Sequence, residues 1–146
     1  MNNERNKIKV LLVTGIVTKE HKPHMNEYIR RLLQSTDRFE VKITEEFKGA
    51  TKSTLEDYDL VILNYEGKFW PNEPEAKRFG EETEAALLDF VHSGKGLVVF
   101  HSTVWLDPKW PDAFWEMYGG RCSYEACSRR NPTSDVVVKN VNPNHP

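Results

Sequence analysis

The stretch Gly94-Lys95-Gly96-Leu97-Val98-Val99-Phe100-His101-Ser102-Thr103 decides how this chain folds. A helical pattern runs into Ser93-Gly94, four apolar residues follow, and the run stops on a histidine and a hydroxyl. A short continuous apolar run introduced by turn residues predicts a strand buried on both faces. In an open parallel α/β sheet, ligands sit outside the carboxyl ends of such strands. His101 and Ser102 are therefore the first place to look for chemistry.

Similar runs lie on either side. Residues 8–13 (Ile-Lys-Val-Leu-Leu-Val) read as a central strand ended by Thr14-Gly15, and residues 60–63 as another, ended by Asn64-Tyr65-Glu66-Gly67. Residues 39–43 alternate apolar and polar, as in a strand with one more exposed face. Residues 135–139 (Asp-Val-Val-Val-Lys) read as a fifth strand. Met25, Tyr28, Ile29, Leu32 and Leu33 recur at helical spacing, which predicts a helix from about residue 23 to 35 with Pro23 in its first turn. Phe79, Thr83, Ala86, Leu87, Phe90 and Val91 make the stripe of another, with Gly94 at its C-terminal stop. Residues 44–54 are a charged connector with room for one helical turn, and residues 105–120 a loop with a short aromatic helix. This succession predicts a three-layer, flavodoxin-like α/β domain with a mainly parallel sheet.

The 146 residues make one domain by length, enough to bury roughly 70% of the unfolded surface. A formal charge of −2 with interspersed acids and bases gives no basic footprint, so no nucleic-acid partner is expected. No run approaches the ~20 apolar residues of a membrane span. The N-terminus, Met1-Asn2-Asn3-Glu4-Arg5, lacks an apolar signal core, so the expected location is cytoplasmic; a signal peptide removed earlier would make it periplasmic or secreted. Cys122 and Cys127 have no second pair for a zinc ribbon. A layered sheet with aromatic loops is compatible with a homo-oligomer, although no interface is legible.

Parallel strands bring three ends to one crevice: Thr14-Gly15 with His21 in the loop beyond, Asn64-Tyr65-Glu66, and His101-Ser102-Thr103. An imidazole, a carboxylate and hydroxyls make a general acid/base set, with His101 and Glu66 as its catalytic pair. Each also has a plain reading as a cap or turn residue, Ser102 above all. A strand running straight into His-Ser resembles a nucleophile elbow, yet the glycines of Gly-x-Ser-x-Gly are missing. All four tryptophans fall in the loops after the third and fourth strands. Trp70 and Trp105 suit stacking on a ring-shaped ligand, whereas Trp110 and Trp115 suit a satellite core. His21, His24, His101, His145 and Glu66 lack zinc spacing, so no metal site is assigned, and no glycine-rich phosphate loop is present.

Several pieces together resemble the ThuA-like (trehalose-utilisation) family, a branch of the class I glutamine amidotransferase-like superfamily. They are residues 9–15, residues 58–65, residues 90–102, Trp110-Pro111, Gly119-Gly120-Arg121 and Asn144-His145-Pro146. The resemblance implies a role in carbohydrate metabolism, on trehalose, other glycosides or oxidised (keto) sugars. It also implies that His101 stands at or beside the place of the amidotransferase cysteine, so glutamine hydrolysis by a Cys nucleophile is not available. The family often carries a histidine shortly after Gly-Gly-Arg; here Tyr124-Glu125-Ala126 stands instead. It also continues past His-Pro, so a C-terminally truncated ThuA-like domain spanning residues 1–146 is the expectation.

These readings converge on a protein acting on a sugar-like small molecule by acid/base chemistry. His101 and Glu66 would be catalytic, with Thr14, Gly15, His21, Asn64, Tyr65, Trp70, Ser102 and Trp105 as substrate contacts. The rival readings are a non-catalytic sugar-binding or interaction module on an amidotransferase-like scaffold, and a metal-dependent hydrolase. No cofactor is expected under the first two.

Overall fold

The computed structural model describes residues 7–15, 22–65, 78–105, 109–120, 137 and 139–144, Ser102 in its backbone only. The two continuous apolar runs lie side by side in the middle of a four-stranded sheet of order β2-β1-β3-β4. The strands are β1 (Ile8–Val13), β2 (Phe39–Thr44), β3 (Leu60–Leu63) and β4 (Gly96–Val99). Every pairing is parallel, the flavodoxin-like order that the sequence predicts.

Helix α1 (Pro23–Gln34) begins with its proline in the first turn, where the missing N–H costs nothing. The connector after β2 contains one helical turn, α2 (Lys52–Leu55), entered through a capping box in which Thr51 and Thr54 satisfy each other's backbone. Helix α3 (Glu81–His92) carries Glu81, Glu82 and Glu84 in its first turn, a favourable placement against the helix dipole. Helix α4 (Asp112–Tyr118) is the aromatic helix, stopped by Gly119 in the left-handed conformation.

Alternation along the strands divides the core into two layers. Val10, Leu12, Val41 and Ile62 face α1, where Ile29 and Leu33 pack on them. Leu11, Val13, Val61 and Leu63 face the other way, into a larger cluster with Leu87 and Phe90 of α3, Phe114 of α4, and Phe47, Phe79 and Trp110. Edge-to-face rings tie that cluster together, with Phe79 4.9 Å from Phe47 and 5.2 Å from Trp110 between ring centres. Trp110 is thus core, as its sequence position suggested.

Two expectations need correction or restriction. The apolar run at residues 97–100 reads as buried on both faces, but β4 is the edge of the described sheet, with Val98 43% and Phe100 42% exposed. The reason is geometric: α1 packs over β1 and β2, so on its side of the sheet Val98 lies beyond the helix. Of residues 135–139, only Val137 and Lys139 are described, and neither is in a strand.

Candidate functional site

Register places the strand ends level. Val13 pairs with Thr44 on one side and Leu63 on the other, and Leu63 pairs with Val99. Thr14-Gly15, Glu45-Glu46, Asn64-Tyr65 and Phe100-His101 therefore leave the sheet along one edge, where an open parallel sheet binds ligands.

Two polar clamps fasten this edge. On the α1 face, Asn26 accepts a hydrogen bond from the Asn64 side-chain amide (2.5 Å) and donates one to the Thr14 hydroxyl (2.9 Å). All three are buried, at 2%, 3% and 6% exposure. Thr14 and Asn64, expected as substrate contacts, thus spend these groups inside the protein. On the β4 side, the hydroxyl of Thr103 donates to the Leu63 carbonyl (3.1 Å) and accepts the Tyr65 N–H (3.0 Å).

The turn after β4 has the elbow shape that the sequence hinted at. His101 opens a 3₁₀ turn (His101–Val104) with φ of 55°, the left-handed region that non-glycine residues rarely enter. That conformation costs roughly 1–2 kcal/mol. The two Thr103 hydrogen bonds, at about 1 kcal/mol net each, are large enough to offset it. His101 is exposed at this bend, and Trp105 is half-buried just beyond it.

A pocket of about 170 Å³ opens at the same edge, lined by Gly15, Glu45, Glu46, Phe47, Lys48, Tyr65, Arg78 and Phe79. Phe79 packs on Tyr65, with ring centres 4.7 Å apart, so the apolar part is built from the aromatic core. Burial first, and then the charge of Glu46, pushes the Tyr65 phenol up to about 12, so it stays a neutral donor at physiological pH. Arg78 is held by Glu84 of α3, which is 2% exposed and takes both guanidinium bonds of the pair along with the Gly80 N–H (3.2 Å). That hydrogen bond to Glu84 raises the pKa of Arg78 further. Gly15 has φ of 146°, and a Cβ there would lie 2.5 Å from the Glu45 carbonyl oxygen. The close approach of the β1 and β2 ends therefore requires glycine.

Gly15 and Tyr65 are the expected site residues that line the pocket, while His101 belongs to the elbow after β4. Glu66, His21 and Trp70 lie outside the described residues, as does the Ser102 side chain. Glu45, Glu46, Lys48, Arg78 and Phe79 were missed by sequence reasoning. The signal for the first three was available: β2 is parallel to β1, so the residues just after it must emerge at the ligand-binding edge. Among the described residues, no three His, Cys, Asp or Glu side chains gather to hold a metal ion, and no helix is long and apolar enough to cross a membrane.

Sheet order and flanking helices define an α/β fold with a pocket open at the carboxyl edge of its parallel sheet. Residues 9–146 match the ThuA family model, described as trehalose utilisation, and the chain belongs to that family. Among solved structures, it is similar to a thua-like protein from Parabacteroides merdae ATCC 43184, with 29% identity and a TM-score of 0.52, over 73% of this chain and 37% of that one. A thua-like protein from Bacteroides uniformis ATCC 8492 shares the fold at 20% identity, with a TM-score of 0.53, over 76% of this chain and 44% of the other. The chain therefore spans less than half the length of either structure. No curated protein matches it at a significant level.

Proposed function

We propose that this ThuA-family chain binds a sugar-like small molecule at the carboxyl edge of its sheet and acts on it by proton transfer. The observation that carries the reading is the pocket, whose aromatic floor adjoins walls that carry both signs of charge. A sugar presents one apolar ring face and a rim of hydroxyls. Tyr65, backed by the buried ring of Phe79, offers the complement to the face, while Glu45, Glu46, Lys48 and Arg78 offer acceptors and donors for the rim. The family's trehalose-utilisation description supports the same ligand class, with glycosides and keto-sugars as candidates.

In this reading, His101 is the general acid/base, presented at the elbow that follows β4, on the same carboxyl edge as the pocket. Glu66, one residue beyond Tyr65 in sequence, is its carboxyl partner. Trp70, Trp105, Ser102 and His21 complete the substrate contacts. The test is turnover of a panel of disaccharides, glycosides and their keto derivatives, followed by chromatography. His101→Ala should abolish turnover and leave thermal unfolding nearly unchanged; unaltered turnover removes His101 from the mechanism.

One observation favours a second reading, a binding module without catalysis: His101 is not among the residues lining the pocket. That reading expects a sugar to raise the unfolding temperature by mass action, with no product from any member of the panel.

A further inference from the structure

The His101 turn is pinned to a single atom. Before the bend, the Phe100 N–H donates to the Leu63 carbonyl (2.9 Å); after it, the Thr103 hydroxyl donates to the same carbonyl (3.1 Å). The Thr103 N–H closes the loop onto the Phe100 carbonyl (3.3 Å). His101 and Ser102 are thus the two residues bracketed between ties to the end of β3. The same Thr103 oxygen accepts the N–H of Tyr65, whose ring lines the pocket. One buried hydroxyl, at 1% exposure, therefore connects the elbow to the pocket wall.

We infer that Thr103 is the positioning residue of this site: its hydroxyl fixes the His101 bend and the Tyr65 backbone relative to each other. The inference rests on the proposed role of His101 and adds the device that sets its place. The chemistry demands a group that donates and accepts at once, which a hydroxyl does and an aliphatic side chain of the same shape does not. Valine in this place would fill the volume and remove both bonds. Serine would restore them with one methyl fewer. The second tie to Leu63 holds the chain just after this left-handed histidine to the same atom that holds it just before.

The test needs no sugar, so its failure is separate from failure of the catalytic reading. Imidazole signals of the whole chain are recorded by ¹H–¹³C NMR for wild type, Thr103→Val and Thr103→Ser. The expected result is a His101 signal displaced or split in Thr103→Val, unmoved His24 and His92 signals, and a His101 signal restored in Thr103→Ser. A folded Thr103→Val with its His101 signal in the wild-type place overturns the inference, because the hydroxyl would then support stability alone. Should Thr103→Val fail to fold, hydrogen exchange of the wild-type Tyr65 amide decides with Thr103→Ser. Exchange slowed by about 100-fold or more relative to an open amide, and preserved in the serine variant, is expected. Unprotected exchange at Tyr65 overturns it.

Discussion

The two clamps at the carboxyl edge use similar groups to different ends. On the α1 face, Asn26 joins side chain to side chain, Thr14 and Asn64, across the ends of β1 and β3. At the β4 side, Thr103 joins side chain to backbone, tying the bend to Leu63 and to Tyr65 of the pocket wall. The first clamp docks a helix on the sheet. The second ties the bend to the pocket wall. Where a buried polar group ends matters more than how deeply it is buried: Asn26 and Thr103 differ by one percentage point in exposure.

Breaking the first clamp should give the larger loss of stability. Asn26→Leu leaves the Thr14 hydroxyl and the Asn64 amide buried without that partner, at about 1–3 kcal/mol each, so urea unfolding should show a loss of roughly 2–6 kcal/mol. The His101 signal should stay in place, and a displaced signal would merge the two clamps into one unit. Thr103→Val should cost less, about 1–2 kcal/mol, because the Leu63 carbonyl keeps the Phe100 N–H and only the Tyr65 amide is orphaned.

A smaller effect sharpens the contrast through pH. The Tyr65 phenol is held up to about 12, mainly by burial, against about 10 for an unfolded tyrosine. The folded state therefore keeps a proton that the unfolded state has lost. Its contribution to stability is complete below pH ~10 and declines as pH rises through about 12. Urea unfolding across that alkaline range should show a downward slope that Tyr65→Phe makes shallower. Some slope should remain from Tyr118, whose pKa is also raised by burial.

Much of this architecture was legible because it rests on apolar periodicity. The runs at residues 8–13 and 60–63 became the central strands, and the stripes around Ile29 and Leu87 became α1 and α3. The burial of β4 was misjudged because a run of apolar residues reports how a strand could be covered, not which neighbour lies over it. At the site, Gly15 and Tyr65 were legible as residues next to strand ends. Arg78 was not, since its place depends on Glu84, six positions on and buried within α3. Asn26 was hidden for a similar reason: a lone polar residue beside a helical stripe looks solvated until the strand ends it meets are known. Thr103 reads from sequence as one more hydroxyl at a strand end; its holding role is hidden because its partners lie about forty residues earlier and no local pattern announces them.

The central claim is that the edge pocket takes a sugar-like molecule, and amide chemical shifts recorded during titration with mono- and disaccharides test it most directly. The account predicts saturable shifts concentrated at Gly15, Glu45, Tyr65 and Phe79, abolished in Gly15→Ala, whose Cβ would push the β2 end away from the pocket. Saturable shifts centred elsewhere, or none from any sugar in the set, would contradict it.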